Sequence, residues 1–337
     1  MSPSTSLGLR AGIATRSEPT SADHQRVAEF ERDAIAGLSA TPKGISSKYF
    51  YDEHGSRLFD AITELAEYYP TRTELSILRD YASAMARAIG RDCALIEYGS
   101  GSSLKIRLLL DRLEGAVTYA PIDISGDHLL RSAAGVAADY PGVRVEPIVG
   151  DFTEPVPLPE MVTGCSRRVV YFPGSTIGNL VPRDAEALLR GIRETVGAEG
   201  GALIGVDLEK PREVLHRAYN DARGVTAEFN LNVLRRMNEE LDADFELVRF
   251  AHRAFYNEAE HRVEMHLESV EAQDVCVAGR PFRFAAGETL RTEYSHKYTR
   301  ERFDALAARA GLRIVEGWTD RRGWFGVFYL EPSPPSA

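Results

Sequence analysis

Between about residue 93 and residue 206 the chain alternates apolar runs of strand length with amphipathic stretches of helix length, and this rhythm constrains the fold more than any other feature. Ala94–Tyr98, Val117–Ile122, Val143–Val149, Arg168–Phe172 and Ala202–Val206 read as strands, with helices through Leu110 and over Asp127–Ala138 and Asp184–Val196. Strands separated by helices of about ten residues build βαβ units and a parallel sheet. The expected class is α/β with an open, Rossmann-like sheet. After Pro211 the rhythm breaks. Glu213–Ala222 and Thr226–Leu241 read as helices, and Phe245–Tyr256 and Arg262–Val270 as long strands. In the latter, Val263, Met265 and Leu267 alternate with polar residues, as on a half-buried antiparallel strand. A loop, Ala278-Gly279-Arg280-Pro281, leads to a strand ending near Lys297; a helix over Arg300–Ala310 and strands over Arg313–Trp318 and Trp324–Leu330 follow. The sheet is therefore expected to carry an inserted α+β unit.

Upstream of the sheet, Ser21 is a candidate cap for a helix with Val27, Phe30, Ala34, Ile35 and Leu38 on one face. Thr73 is a candidate cap for a second, carrying Ile77, Leu78, Met85 and Ile89. The expected division is a flexible tail at 1–24, a substrate-binding α+β domain at 25–72 and 211–297, and a Rossmann-like cofactor domain at 73–210 and 298–332.

The 40 basic and 50 acidic side chains give a net charge of −10, which argues against nucleic acid or an anionic membrane as partner. No window approaches the roughly 20 apolar residues of a spanning helix, and the first 24 residues lack the apolar region of a secretory signal. Cys93, Cys165 and Cys276 are too few and too scattered for a disulfide framework or a thiolate metal site. A cytoplasmic, monomeric protein acting on a small molecule is expected.

Three features point to a bound cofactor. Glu97-Tyr98-Gly99-Ser100-Gly101 lies where a strand turns into a helix, the place where open parallel sheets bind ligands. Read alone it is a tight turn as readily as a site. Leu104 stands where a dinucleotide motif has its third glycine, so no pyrophosphate is implied. Asp123 closes the next strand about 20 residues on, placed either to accept ribose hydroxyls or to cap the next helix. Gly150-Asp151-Phe152 ends the third strand with an acid for an exocyclic amine and a ring for stacking. This order resembles S-adenosylmethionine-dependent methyltransferases of the Rossmann-like class.

Phe172-Pro173-Gly174-Ser175-Thr176-Ile177-Gly178-Asn179-Leu180 follows the fourth strand. It differs from a hydrolase elbow, Gly-x-Ser-x-Gly, in having Thr176 at the centre; a rigid loop is the plain alternative. Asn179 offers an amide that both accepts and donates. Glu293 and Ser295, two residues apart on a strand, share one face, open to a ligand or to solvent. His296 points to the opposite face, and His261 and His266 lack zinc spacing, so no metal is expected.

Taken with Glu67-Tyr68-Tyr69-Pro70-Thr71-Arg72-Thr73-Glu74, Phe284-Ala285-Ala286-Gly287-Glu288 and Glu293-Tyr294-Ser295, these motifs make the chain, from about residue 25 to residue 331, similar to the histidine Nα-methyltransferases of ergothioneine biosynthesis. The resemblance implies a Rossmann-like sheet with an unusual α+β substrate domain. It also implies S-adenosylmethionine-dependent trimethylation of the α-amine of L-histidine, through its mono- and dimethyl forms, to hercynine. Gly99, Ser100, Gly101, Lys105, Asp123, Asp151 and Phe152 would line the cofactor site. Asn179 would hold the amine, and Tyr68 and Tyr219 the carboxylate, without a cation beside the amine that must lose its proton. Tyr51, Glu293 and Ser295 would read the imidazole, Phe59 and Met265 would pack on it, and Gly174 and Thr176 would shape the loop. The alternatives are methylation of another aromatic amino acid, such as a tryptophan derivative, and a non-catalytic S-adenosylmethionine-binding protein.

Overall fold

The computed structural model describes residues 21–101 and 103–334. The expected tail lies outside the described residues except for its last four, which belong to helix α1 (Ser21–Ser39); the side chain of Ser21 is also outside them. Phe30, Ala34 and Leu38 of α1 are buried, whereas Val27, expected on the same stripe, is 36% exposed at its edge. Helix α2 (Glu53–Glu64) is capped by Asp52, whose carboxylate accepts from Gly55 N and from Asn232 Nδ2, both at 2.7 Å. Helix α3 (Tyr69–Ile89) starts four residues before the expected cap. Pro70 sits in its first turn, where a missing N–H costs nothing, and Thr73 Oγ1 donates to Tyr69 O inside the helix.

The alternating segment follows as β1 (Cys93–Tyr98), α4 (Leu104–Leu110), β2 (Val117–Asp123), α5 (Gly126–Asp139), β3 (Val143–Val145), β4 (Ile148–Val149), α6 (Glu160–Thr163), β5 (Arg167–Phe172), α7 (Pro182–Val196) and β6 (Gly201–Asp207). Val143–Val149, expected as one strand, splits at Glu146-Pro147, because proline has no N–H for the ladder. Every residue of β1 and β6 is buried, as strands covered on both faces must be.

The inserted unit contains α8 (Arg212–Tyr219), α9 (Val225–Glu240), β7 (Phe250–Asn257), β8 (Arg262–Ser269), β9 (Gln273–Val277), β10 (Arg280–Phe284) and β11 (Thr289–His296). Strand β7 starts five residues later than expected: Leu247–Arg249 form a single helical turn, and the Phe245 ring packs edge-on against Phe250 and Phe284. The expected loop at 278–281 is a hairpin tip, with Ala278 and Gly279 left-handed (φ 48° and 72°) and Arg280 and Pro281 already in β10. The chain then re-enters the sheet through α10 (Arg300–Arg309), β12 (Leu312–Thr319) and β13 (Phe325–Pro332).

The central sheet runs β12-β13-β6-β5-β1-β2-β3, with β4 beside the end of β2; β13 is antiparallel to β6 and to β12, and the other pairs are parallel. Buried side chains from Ile77 to Leu208 and Phe303 to Leu330 fill its two faces. A separate core joins Phe30–Tyr69 to Leu215–Leu290 and carries the three-stranded antiparallel sheet β11-β8-β7. The insertion leaves and returns at one place, where Tyr298 N donates to Asp207 O at 3.0 Å and Glu209 N to Tyr298 O at 2.9 Å. No helix among the described residues is long and apolar enough to cross a membrane.

Asp52 both caps α2 and ties it to α9. Asp52→Ala should lower stability by about 1–2 kcal/mol, measured by denaturant unfolding; an unchanged midpoint would mean that the cap is not holding this helix.

Candidate active site

Strand order reverses between β1 and β5, so the carboxyl ends of these neighbours diverge into a crevice, the usual ligand position in an open sheet. On the β1 side the chain turns through Gly99 (φ 72°) and Gly101 (φ 48°). A Cβ on Gly101 would meet nothing, so glycine is required there by the backbone conformation and not by crowding. Ser100 Oγ is buried with no hydrogen-bond partner among the described residues, a donor left for a ligand. Asp123 accepts from Ser125 N at 2.9 Å, and burial pushes its carboxyl above the usual range. Asp151 Oδ1 is held by Thr153 N and Oγ1, and Oδ2 lies 3.4 Å from Lys48 Nζ. Phe152 stacks on Tyr98 at 5.6 Å and meets Phe172 edge-on. Gly99, Ser100, Gly101, Lys105, Asp123, Asp151 and Phe152 line one cleft of about 900 Å³. Its glycine turn, free hydroxyl, two carboxylates and stacking ring suit a nucleoside-bearing cofactor.

On the β5 side, Gly174 (φ 78°) and Ser175 (φ 59°) are both left-handed, which lets the loop double back over the sheet. Ser175 Oγ accepts from Asp207 N at 2.8 Å and Thr176 Oγ1 donates to Pro173 O at 3.1 Å. Ser175 is thus a buried brace and not an exposed hydroxyl. Gly174 N donates to both oxygens of Glu74, at 3.0 Å each, and Glu74 in turn holds Lys105 Nζ at 2.6 Å. Lys105, expected as a cofactor ligand, is therefore coupled through a buried carboxylate to the loop on the substrate side. His296 faces away from the chamber, as expected, and pairs its Nδ1 with Gly178 O at 2.9 Å.

Beside this loop lies a small chamber of about 60 Å³, room for roughly four or five water molecules. All ten expected substrate residues line it: Tyr51, Phe59, Tyr68, Gly174, Thr176, Asn179, Tyr219, Met265, Glu293 and Ser295. Tyr51, Phe59, Tyr68, Gly174, Thr176, Asn179 and Glu293 also line the large cleft, so the two spaces communicate, while Tyr219, Met265 and Ser295 belong to the closed end. The wall is aromatic: Phe59 meets Tyr51 and Tyr68 edge-on at 5.6 and 6.2 Å, with Phe229 behind at 5.9 Å. Burial holds the Tyr51 and Tyr68 phenols well above their usual range, hence neutral.

The polar end is built by β11. A bulge after Arg291 sets its phase, so that Glu293 pairs with Met265 of β8 and turns inward with Ser295. Burial raises the Glu293 carboxyl to about 7, against the opposing pull of the Lys297 charge. Lys297 follows at the next inward position and is 1% exposed; its Nζ lies 2.7 Å from Ser295 Oγ, 3.0 Å from Tyr219 OH and 2.8 Å from Asp207 Oδ2. Tyr219, expected as a neutral phenol, thus stands beside a cation, and that cation is paired with Asp207. Sequence reading also missed Asp207, Lys210, Glu74 and Phe229. The alternation 293-295-297 was the available signal for Lys297; Asp207 carries none, being simply the polar end of an apolar strand. Phe284–Glu288, in contrast, lies off the site as the turn before β11, with Glu288 paired to Lys43. Among the described residues no cluster of His, Cys, Asp and Glu has a metal-site composition.

An open sheet of this order with a cofactor cleft at its reversal point defines a class I methyltransferase architecture. The family model for histidine-specific, SAM-dependent methyltransferases matches residues 30–332, and the chain belongs to that family. It is 45% identical to the histidine N-alpha-methyltransferase of Mycolicibacterium smegmatis, over 88% of this chain and 93% of that one. The protein of the same name from Mycobacterium tuberculosis is 42% identical over the same shares. Ergothioneine biosynthesis protein 1 of Neurospora crassa is 33% identical over 82% of this chain and 32% of the fungal one.

Because Glu74 joins Lys105 to Gly174, Glu74→Ala should weaken S-adenosylhomocysteine binding about tenfold or more and cost about 1–3 kcal/mol through the orphaned Gly174 N–H. Calorimetry and unfolding test this; unaltered cofactor affinity would confine Glu74 to a structural role.

Proposed function

We propose that this enzyme transfers three methyl groups in turn from S-adenosylmethionine to the α-amino nitrogen of L-histidine, giving hercynine, an early step of ergothioneine biosynthesis. One observation carries the reading. Glu293, suited to an imidazole N–H, and Asn179, suited to an amine, line the same chamber, and Asn179 stands where it opens into the cofactor cleft. The bound cofactor supplies an electrophilic methyl group on its sulfonium. The protein's part is orientation and electrostatics.

The chamber admits a five-membered ring between Phe59 and Met265, with Glu293 and Ser295 at its edge. Tyr68 donates to the carboxylate, Tyr219 stands at the closed end with its hydroxyl hydrogen committed to Ser295, and Asn179 keeps the nitrogen lone pair directed to the cleft. An ammonium has no lone pair, so each round requires an unprotonated amine. Asn179 is no base, and neutral buried phenols do not accept a proton at pH 7, so the proton leaves by way of water in the open cleft. The hydrogen bonds to the ring edge also supply selectivity. Phenylalanine would leave the Glu293 carboxyl and the Ser295 hydroxyl hydrogen buried and unpaired, a mismatch that typically discriminates by about 10⁴ or more. The Glu293–Ser295 pair, which offers polar partners to two ring nitrogens, speaks against a tryptophan derivative as the preferred substrate. A chain that bound the cofactor without catalysis would have no use for the substrate chamber. We further assign the two cores as cofactor and substrate domains, acting within one monomer.

Incubation with histidine and S-adenosylmethionine should add three methyl masses; addition only to another amino acid would refute the histidine assignment. The carboxyl of Glu293 accepts an N–H more strongly when ionised, so kcat/KM should climb as pH rises through about 7. Glu293→Gln should abolish that limb and cost about 10–100-fold in kcat/KM. A profile unchanged in the variant would place the titrating group elsewhere.

A further inference from the structure

Two lysines face one carboxylate beneath the substrate chamber. Asp207, 1% exposed, is ion-paired with Lys210 Nζ and, at 2.8 Å, with Lys297 Nζ, and accepts from Tyr69 OH at 2.6 Å. Burial alone would raise Asp207 and lower Lys297, but their mutual attraction, with Lys210 adding to it, keeps the aspartate ionised and Lys297 charged. Lys210 is the softer of the two lysines, lowered by burial to about 8. Lys210 already balances Asp207. Lys297 lines the chamber together with its three partners, Asp207, Ser295 and Tyr219.

An ammonium has three hydrogens and no lone pair. Those of Lys297 are taken by Asp207 Oδ2, Ser295 Oγ and Tyr219 OH. Ser295 Oγ also receives the Tyr219 hydroxyl hydrogen at 2.7 Å. A phenol already polarised by an ammonium is the stronger donor of this pair. Both lone pairs of the Ser295 hydroxyl are then filled, and all it can offer the chamber is its hydrogen.

We propose that Lys297 is a positioning residue that fixes the Ser295 hydroxyl as a donor, so that the site selects the neutral imidazole in one tautomer, its N–H toward Glu293 and its bare nitrogen toward Ser295. This rests on the histidine reading above. An imidazolium, with two N–H groups, finds no second acceptor at Ser295. The titratable groups that line the chamber are Glu293 of β11, Lys297 just after it, the phenols Tyr51, Tyr68 and Tyr219, and Asp207.

The wild-type enzyme tests this directly. With S-adenosylhomocysteine and ring-¹⁵N-labelled histidine at pH 6, below the free ring pKa of about 6.5, NMR should show one protonated and one bare ring nitrogen in a single tautomer. Two protonated nitrogens, or a mixture of tautomers, overturn the inference alone; failure of labelled histidine to bind overturns the functional reading and the inference with it. A double-mutant cycle supplies the second arm. Lys297→Met leaves the Asp207–Lys210 pair in place and should raise the KM for histidine about tenfold, with the preference for histidine over phenylalanine falling by a similar factor. In a Ser295→Ala background the same change should alter that preference less than about twofold. Equal effects in both backgrounds would show that Lys297 does not act through Ser295.

Discussion

Asp207 is bonded from every side, and the rest of the site is assembled around it. Its N–H braces Ser175 in the substrate loop, its carbonyl receives the chain returning from the insertion at Tyr298, and its carboxylate binds Tyr69 of α3, Lys210 and Lys297. A buried carboxylate is tolerable only when paired and hydrogen-bonded. Meeting that condition forces four segments to converge at the end of β6: helix α3, the loop after β5, the start of the insertion and the end of β11. The cofactor cleft and substrate chamber meet within a few residues of that point.

A second buried carboxylate performs the corresponding task at the other mouth. Glu74 joins Lys105, in the cofactor cleft, to Gly174, which shapes the substrate loop. The two sites are thus not independent pockets that happen to adjoin: ionic links within the sheet domain set the position of a loop on which the chamber depends. The polar groups are gathered at the β11 end and the loop, and the remaining wall is aromatic. This suits a ligand with an apolar ring face and polar ends.

The parallel sheet was legible because its strands, buried on both faces, read as continuous apolar runs, and the break at Pro211 marked the insertion. Boundaries failed where local chemistry overrode pattern: at Pro147, which splits a strand, at Pro70, which starts α3 early, and at Ala278-Gly279, which make a hairpin tip from an expected loop. Every expected site residue lines one of two connecting spaces, since those residues sat in recognisable motifs. The supporting ions were not legible. Asp207 is the one polar residue closing an apolar strand, Glu74 is one of several polar residues of α3, and Lys297 follows a largely polar β11, so only a tertiary structure shows which of them meet.

In the proposed function one chamber holds an imidazole at Glu293 while presenting the same molecule's amine, at Asn179, to the cofactor cleft. A crystal structure with L-histidine and S-adenosylhomocysteine measures this directly. The account requires a ring nitrogen within hydrogen-bonding reach of the Glu293 carboxylate and the α-amine beside Asn179, facing the cofactor sulfur. Histidine bound in the reverse sense, or with its amine turned away from the cleft, would contradict it.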